Sequence, residues 1–143
     1  VAAEFRRNVV TPDEIEGNLV TSLLFQQRIP PTEKPRYRGK TVMLIDERAI
    51  SQSEHSGLFY RAANGTVFVG SPTTGANGDV TYFFAPGGIR INFSGHDVRW
   101  PDGKQLQRVG LIPDIEMRPT IGGIRAGRDE VLERALAYIE QVR

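Results

Sequence analysis

The sequence predicts an α/β domain, built on a strand–helix–strand crossover with β-hairpins and a C-terminal helix after it. Three observations carry this. Thr41-Val42-Met43-Leu44-Ile45-Asp46 is a short continuous apolar run, the pattern of a strand covered on both faces. From Ser51 to Ala63, the residues His55, Leu58, Phe59 and Ala62 fall at i, i+3, i+4 and i+7, one face of a helix. Thr66-Val67-Phe68-Val69-Gly70 is a second buried-strand run, so the unit implies a parallel, right-handed crossover.

The remaining elements follow in chain order. Residues 1–38 read as a mixed segment, partly loop, and residues 39–143 as the structured body. Glu4-Phe5-Arg6-Arg7 is expected to end a strand, Thr11-Pro12-Asp13-Glu14 to turn or start a helix, and the apolar stretch Leu19–Phe25 to pack. Ile29–Pro35 is a loop, because its prolines fix φ and remove donors. Asn64-Gly65 stops the crossover helix, since Gly accepts the left-handed conformation there. Ser71–Asp79 is a loop rich in Gly, Thr and Asn. Val80–Phe84 and Ile89–Phe93 are strands joined at Pro86-Gly87-Gly88; alternation of Ile89, Ile91 and Phe93 with Arg90 and Asn92 marks the second as half-exposed. Val98–Trp100 leads into the turn Pro101-Asp102-Gly103, and Leu111–Glu116 is a last extended piece. A helix closes the chain from about Arg128 to Gln141, with Val131, Leu132, Ala135, Leu136 and Ile139 on its apolar side. Asp129 and Glu130 suit the positive end of its dipole.

Composition narrows the function. The chain has 143 residues, enough for one domain with a real core, and its net charge of +1 gives no electrostatic case for nucleic acid or an anionic membrane. The absence of Cys removes disulfides, thiolate metal sites and cysteine nucleophiles together. His55 and His96 show no metal-ligand spacing, and no cofactor motif is present. No apolar run approaches the roughly 18–20 residues a membrane span needs.

The chemistry points to the stretch Ile50-Ser51-Gln52-Ser53-Glu54. A serine between a buried strand and a helix projects its hydroxyl clear of the sheet end. The next amide, that of Gln52, then points into the same space near a helix N-terminus and could serve as an oxyanion donor. This is the logic of a nucleophile elbow, without Gly-x-Ser-x-Gly. Ser51-Gln52-Ser53-Glu54 equally reads as a capping box, which needs no catalysis. His55 shares a helix face with Ser51, so a local Ser–His pair and a packed histidine are both open; His96-Asp97 is undecided in the same way. The loop Gly70–Gly78, with Thr73, Thr74, Gly75, Ala76 and Asn77, follows the second strand at the edge where the elbow opens. It could line a substrate site or serve turn geometry. It lacks Gly-Lys-Ser/Thr and so is not a phosphate loop. Asn64-Gly65-Thr66 and Asn92-Phe93-Ser94 match the glycosylation sequon, a match common by chance.

In order, the apolar strand, Ser51-x-x-Glu54, the helix, Val67-Phe68-Val69-Gly70, Pro72-Thr73-Thr74-Gly75, two β segments and Val109-Gly110-Leu111-Ile112-Pro113-Asp114-Ile115 resemble the C-terminal processing (tail-specific) serine peptidases. The resemblance covers about Gly39 to Gln141. It leans toward the branch of the tricorn core and the interphotoreceptor retinoid-binding protein modules. It implies a Clp protease/crotonase-like core, with residues 39–143 as the C-terminal portion of a catalytic domain. It also implies Ser51 as nucleophile, Glu54 as a supporting residue, and peptide or protein substrates without a cofactor.

Two departures stand out. The lysine of a Ser–Lys dyad would fall on Ala76, and the carboxylate that supports a tricorn-type histidine would fall near Gln107. The resemblance therefore implies a histidine base and a second oxyanion donor from a segment before Val1. An incomplete domain would leave open sheet edges able to pair with a second copy. An exported or periplasmic location is implied by resemblance only. Two rivals remain: a non-catalytic module that binds a peptide or apolar ligand on the same fold, favoured by Ala76 and Gln107, and a crotonase-type acyl-CoA enzyme, for which the loops offer no basic cluster.

Overall fold

The computed structural model describes residues 1–9 and 21–141. The turn expected at Thr11–Glu14 lies outside the described residues. The described residues form eight strands and three helices: β1 (Ala3–Val9), β2 (Thr21–Gln27), β3 (Val42–Ile45), α1 (Gln52–Asn64), β4 (Val67–Gly70), β5 (Val80–Ala85), β6 (Ile89–Ser94), β7 (Asp97–Arg99), β8 (Ile115–Glu116), α2 (Ile121–Arg125) and α3 (Glu130–Glu140).

The expected crossover is present. β3 and β4 run parallel with Val42 opposite Val67 and Ile45 opposite Gly70, and α1 connects them. β8 adds to the other side of β4, also parallel, so the order is β3-β4-β8. β4 is thus central, which is why Phe68 and Val69 are fully buried. Gly57 explains how closely α1 lies on this sheet. A Cβ there would sit 2.4 Å from Leu111 Cδ1 and 3.4 Å from both Met43 Sδ and Phe68 Cζ. Gly65 ends α1 in the left-handed conformation, φ 63°, with its N–H donating to Arg61 O.

A second sheet has the order β2-β1-β7, antiparallel throughout. Glu4–Arg7 therefore lies inside β1 rather than ending a strand. The two sheets share one core, in which Ala3, Val98 and Leu106 meet Ile45, Leu58, Phe68 and Leu111, with Phe5, Met43 and Trp100 packed around them.

Several expectations on burial are overturned. β3 is not covered on both faces: it is an edge strand, α3 packs over it only in part, and Leu44 stays 42% exposed. On β2, Leu23, Leu24 and Phe25 are exposed rather than packed; among the described residues β2 is an edge strand that pairs with β1 alone. β5 and β6 pair as a separate two-stranded sheet with no third strand among the described residues. Both its faces are open, and Phe93, expected on a covered face, is 47% exposed. Along α3 the apolar side divides: Ala135 is buried, whereas Leu132, Leu136 and Ile139 are exposed. Only Ile115–Glu116 of the extended piece pairs as a strand, while Leu111 turns into the core. The short α2 went unpredicted because Gly122 and Gly123 weaken a helical pattern; the Thr120 side chain caps it by accepting from Gly123 N. Among the described residues no helix is long and apolar enough to cross a membrane.

Asp114 ties the crossover together. Its carboxylate accepts from Phe68 N at 2.7 Å and from the Arg61 guanidinium at 2.6 and 3.2 Å, while that guanidinium lies 4.1 Å over the Phe68 ring. The ion pair is about a third exposed on each side, so solvent screens it and it adds little. The strand-edge N–H of Phe68 decides the cost, because it has no other partner at that position. Asp114→Ala is expected to lower stability by about 1–3 kcal/mol, read as a reduced urea midpoint at unchanged slope.

Candidate active site

Ser51 stands at the N-terminus of α1 with φ 54° and ψ −111°. An ordinary N-cap residue is extended at φ. A positive φ at a non-glycine residue costs of order 1–3 kcal/mol and persists only where the surroundings impose it. The imposing group is Glu54, three residues on. Its side chain reaches back to accept the Ser51 N–H at 3.2 Å, so the Glu54 half of the capping box is met, while the Ser51 hydroxyl makes no side-chain cap bond.

Glu54 is fully buried and does more than cap. Its Oε1 accepts from Thr73 Oγ1 at 2.5 Å and from Gly75 N at 2.7 Å; its Oε2 accepts from Ala76 N at 3.0 Å as well as from Ser51 N. One carboxylate therefore joins the helix start to the loop after β4. Thr73 continues the chain of bonds, since its Oγ1 accepts from Leu111 N at 2.8 Å. Thr74 binds the other side of the elbow, with N donating to Ala49 O and Oγ1 to Glu47 O. Gly75 needs its missing side chain: φ is 74°, and a Cβ would lie 2.8–2.9 Å from the backbone of Arg108, Val109 and Gly110.

A cleft of about 460 Å³ opens beside Ser51 and Gln52. Phe5 and Phe25 give it an apolar wall from β1 and β2, and Asn77, Asp79 and His96 line it from the loops. Of the loop residues proposed from sequence, Asn77 lines the cleft, whereas Thr73, Thr74, Gly75 and Ala76 are engaged in supporting the elbow. Gln107 lies outside the cleft lining, and its Oε1 is buried with no partner among the described residues. No cluster of His, Asp or Glu able to hold a metal ion occurs among the described residues. At the first sequon, the Asn64 amide donates to Gly39 O and Thr41 Oγ1, and Thr66 Oγ1 donates to Tyr60 O, so these side chains serve the fold.

His55 does not form the local pair with Ser51. Its Nε2 lies 2.7 Å from Gln27 Oε1 and its Nδ1 3.4 Å from Asn77 Nδ2, so both ring nitrogens have other partners. The ring sits between Phe5 and Phe59, with centroids 5.3 and 5.4 Å away. Burial pushes the imidazole below its usual pKa. The native state thus disfavours protonation relative to the unfolded chain. The stability associated with neutral His55 is fully present above about pH 6.5 and is lost as pH falls below that value. Unfolding midpoints taken from pH 7.5 down to pH 5.5 are expected to fall, and to fall less in His55→Gln.

Of the residues that line the cleft, sequence reasoning singles out Ser51, Gln52 and Asn77, and leaves His55 and His96 open, but it does not name Phe5, Phe25 or Gln27. Phe5, Phe25 and Gln27 reach the cleft only through the pairing of β1 with β2 and β7, which no local pattern announces.

The family model of peptidase family S41 matches residues 6–117. No curated protein matches the chain. Among solved structures, a protein of Parabacteroides merdae described as a candidate peptidase aligns with a TM-score of 0.71 at 20% identity, over 86% of this chain. Mature CPAF complexed with lactacystin aligns at 0.66 and 23% over 78% of this chain, and the tricorn protease at 0.60 and 19% over 81%. The chain spans only 38%, 22% and 13% of those three proteins, respectively. At these identities the structural likenesses speak for a shared fold.

Proposed function

Because the chain belongs to peptidase family S41, we propose that it is the C-terminal portion of a tail-specific or tricorn-like serine peptidase domain, with Ser51 as its nucleophile. The fold is read as a Clp protease/crotonase-like core. The observation that carries the reading is the backbone of Ser51: a non-glycine residue held at φ 54° on a strand-to-helix connection, beside an open cleft. Capping alone does not require that conformation, because an extended N-cap reaches the helix N–H groups without strain.

The reaction is hydrolysis of a peptide or protein. Ser51 Oγ bonds to the scissile carbonyl carbon and gives its proton to a general base, while the carbonyl π pair moves to oxygen. The Gln52 N–H stabilises that oxyanion. Collapse expels the amine, which takes the proton from the base, and water then releases the acyl group by the same steps. The base is supplied from outside residues 1–143. Two facts favour this over a lysine or His55: Ala76 stands where a Ser–Lys dyad would need lysine, and both nitrogens of His55 are engaged; the other histidine, His96, lines the cleft and is the alternative base within residues 1–143. Residues 1–143 alone are accordingly expected to show no peptidase activity. Robust hydrolysis by them, abolished by Ser51→Ala, would overturn the placing of the base.

Labelling of the full-length protein with a fluorophosphonate tests the nucleophile. Modification at Ser51 supports the reading; a folded protein left unmodified favours a non-catalytic module that binds a peptide or apolar ligand in the same cleft. The apolar wall of half-buried Phe5 and exposed Phe25 suits that second reading as well.

A further inference from the structure

We propose that Asn77 is a side-chain oxyanion donor of this site, its Nδ2 amide joining the Gln52 N–H around the carbonyl oxygen of a bound peptide. The inference rests on the peptidase reading of Ser51. It begins with placement. Asn77 is only 5% exposed, yet it lines the cleft with Ser51 and Gln52. Its preceding residue, Ala76, donates its N–H to Glu54 Oε2, the same oxygen that receives the Ser51 N–H. A single carboxylate oxygen therefore sets where the nucleophile's backbone and the start of the Asn77 backbone stand relative to each other. The loop is fixed on the far side too: a Cβ on Gly78 would fall 2.3 Å from His96 O, and His96 N donates to Gly78 O at 2.7 Å.

Orientation follows from the hydrogen bonds. Gln27 Oε1 can only accept, so His55 Nε2 at 2.7 Å must carry the ring proton. Nδ1 is then an acceptor, and the Asn77 atom facing it at 3.4 Å must be the amino group. One amide N–H is directed at the ring, and the second is assigned to the cleft that Asn77 lines. Asn77 itself is buried, and its partner His55 is half-buried and braced by the exposed Gln27, so the donor is held before charge develops on the substrate oxygen. Gln27 and His55 act as positioning residues behind it.

The experiment compares second-order rate constants for fluorophosphonate modification of Ser51 in the full-length protein, wild type against Asn77→Ala and Asn77→Asp. Thermal melts of all three are recorded alongside. The phosphonyl oxygen occupies the place of the carbonyl oxygen, so loss of one donor is expected to slow labelling of Asn77→Ala about 100–1000-fold. Asn77→Asp, nearly isosteric but an acceptor, should be at least as slow. With a peptide substrate the loss should fall on kcat and leave KM nearly unchanged. Wild-type labelling with unchanged rates in folded variants overturns this proposal alone. Failure of the wild type to label overturns the peptidase reading and this inference with it. Failure of both variants to fold overturns it as well, because the residue's role would then be structural.

Discussion

Ser51→Ala in the full-length protein is expected to lower kcat for peptide hydrolysis on the order of 10⁶-fold, the scale at which removal of a catalytic serine leaves only binding and oxyanion stabilisation. Stability should scarcely change, because Ala keeps the Cβ and with it the strained φ. Ser51→Gly separates the two roles of the position. It is equally inactive, but it releases the strain of φ 54°, so it is expected to be more stable than Ser51→Ala by about 1 kcal/mol even after the greater freedom of glycine in the unfolded chain. A Gly variant less stable than the Ala variant would show that the elbow stores no strain, and would remove the main support for Ser51 as nucleophile.

The second large effect is at Glu54. Its two oxygens receive four donors: Thr73 Oγ1 and Gly75 N on one, Ala76 N and Ser51 N on the other. Glu54→Gln keeps the length and shape of the side chain but replaces one acceptor oxygen with an amino group. Two buried donors then face N–H groups instead of an oxygen. Each orphaned donor costs about 1–3 kcal/mol, so the loss should reach about 3–5 kcal/mol, large against the usual stability of a domain. Urea unfolding measures it. A change below about 1 kcal/mol would mean that the loop does not hang from this carboxylate. Folded Glu54→Gln should also label poorly at Ser51, since the elbow and the loop lose their common anchor.

The legible parts of the fold were those written locally. The apolar runs of β3 and β4, the helical face of α1 and the Asn64-Gly65 stop each depend on neighbours in sequence, and each appears where the pattern puts it. Burial was less legible, because it depends on what lies across from an element. Leu44, Phe93 and Leu136 carry the same apolar signal as core residues but sit on faces that nothing described here covers. The site divides in the same way. Ser51-x-x-Glu54 could be read as a cap or as an elbow; the positive φ of Ser51 and the four bonds of Glu54 bear on that choice, and neither is a property of the tetrapeptide alone. Asn77 was one loop residue among five until His55 and Gln27, from a different helix and strand, gave it an orientation.

The antiparallel pairing of β1 with β7 bears on how the chain is made. Phe5 lies opposite Val98, so β1 has one unsatisfied edge throughout synthesis until Asp97–Arg99 has emerged. During that interval an extended strand bearing Phe5 is exposed together with its antiparallel partner β2, whose residues Leu23, Leu24 and Phe25 are apolar and exposed. Contacts so distant along the chain close slowly, and open strand edges are templates for wrong pairing. The nascent chain should therefore depend on chaperone protection during this window, and substitutions that weaken β7 should reduce soluble yield more than they reduce the stability of the finished protein.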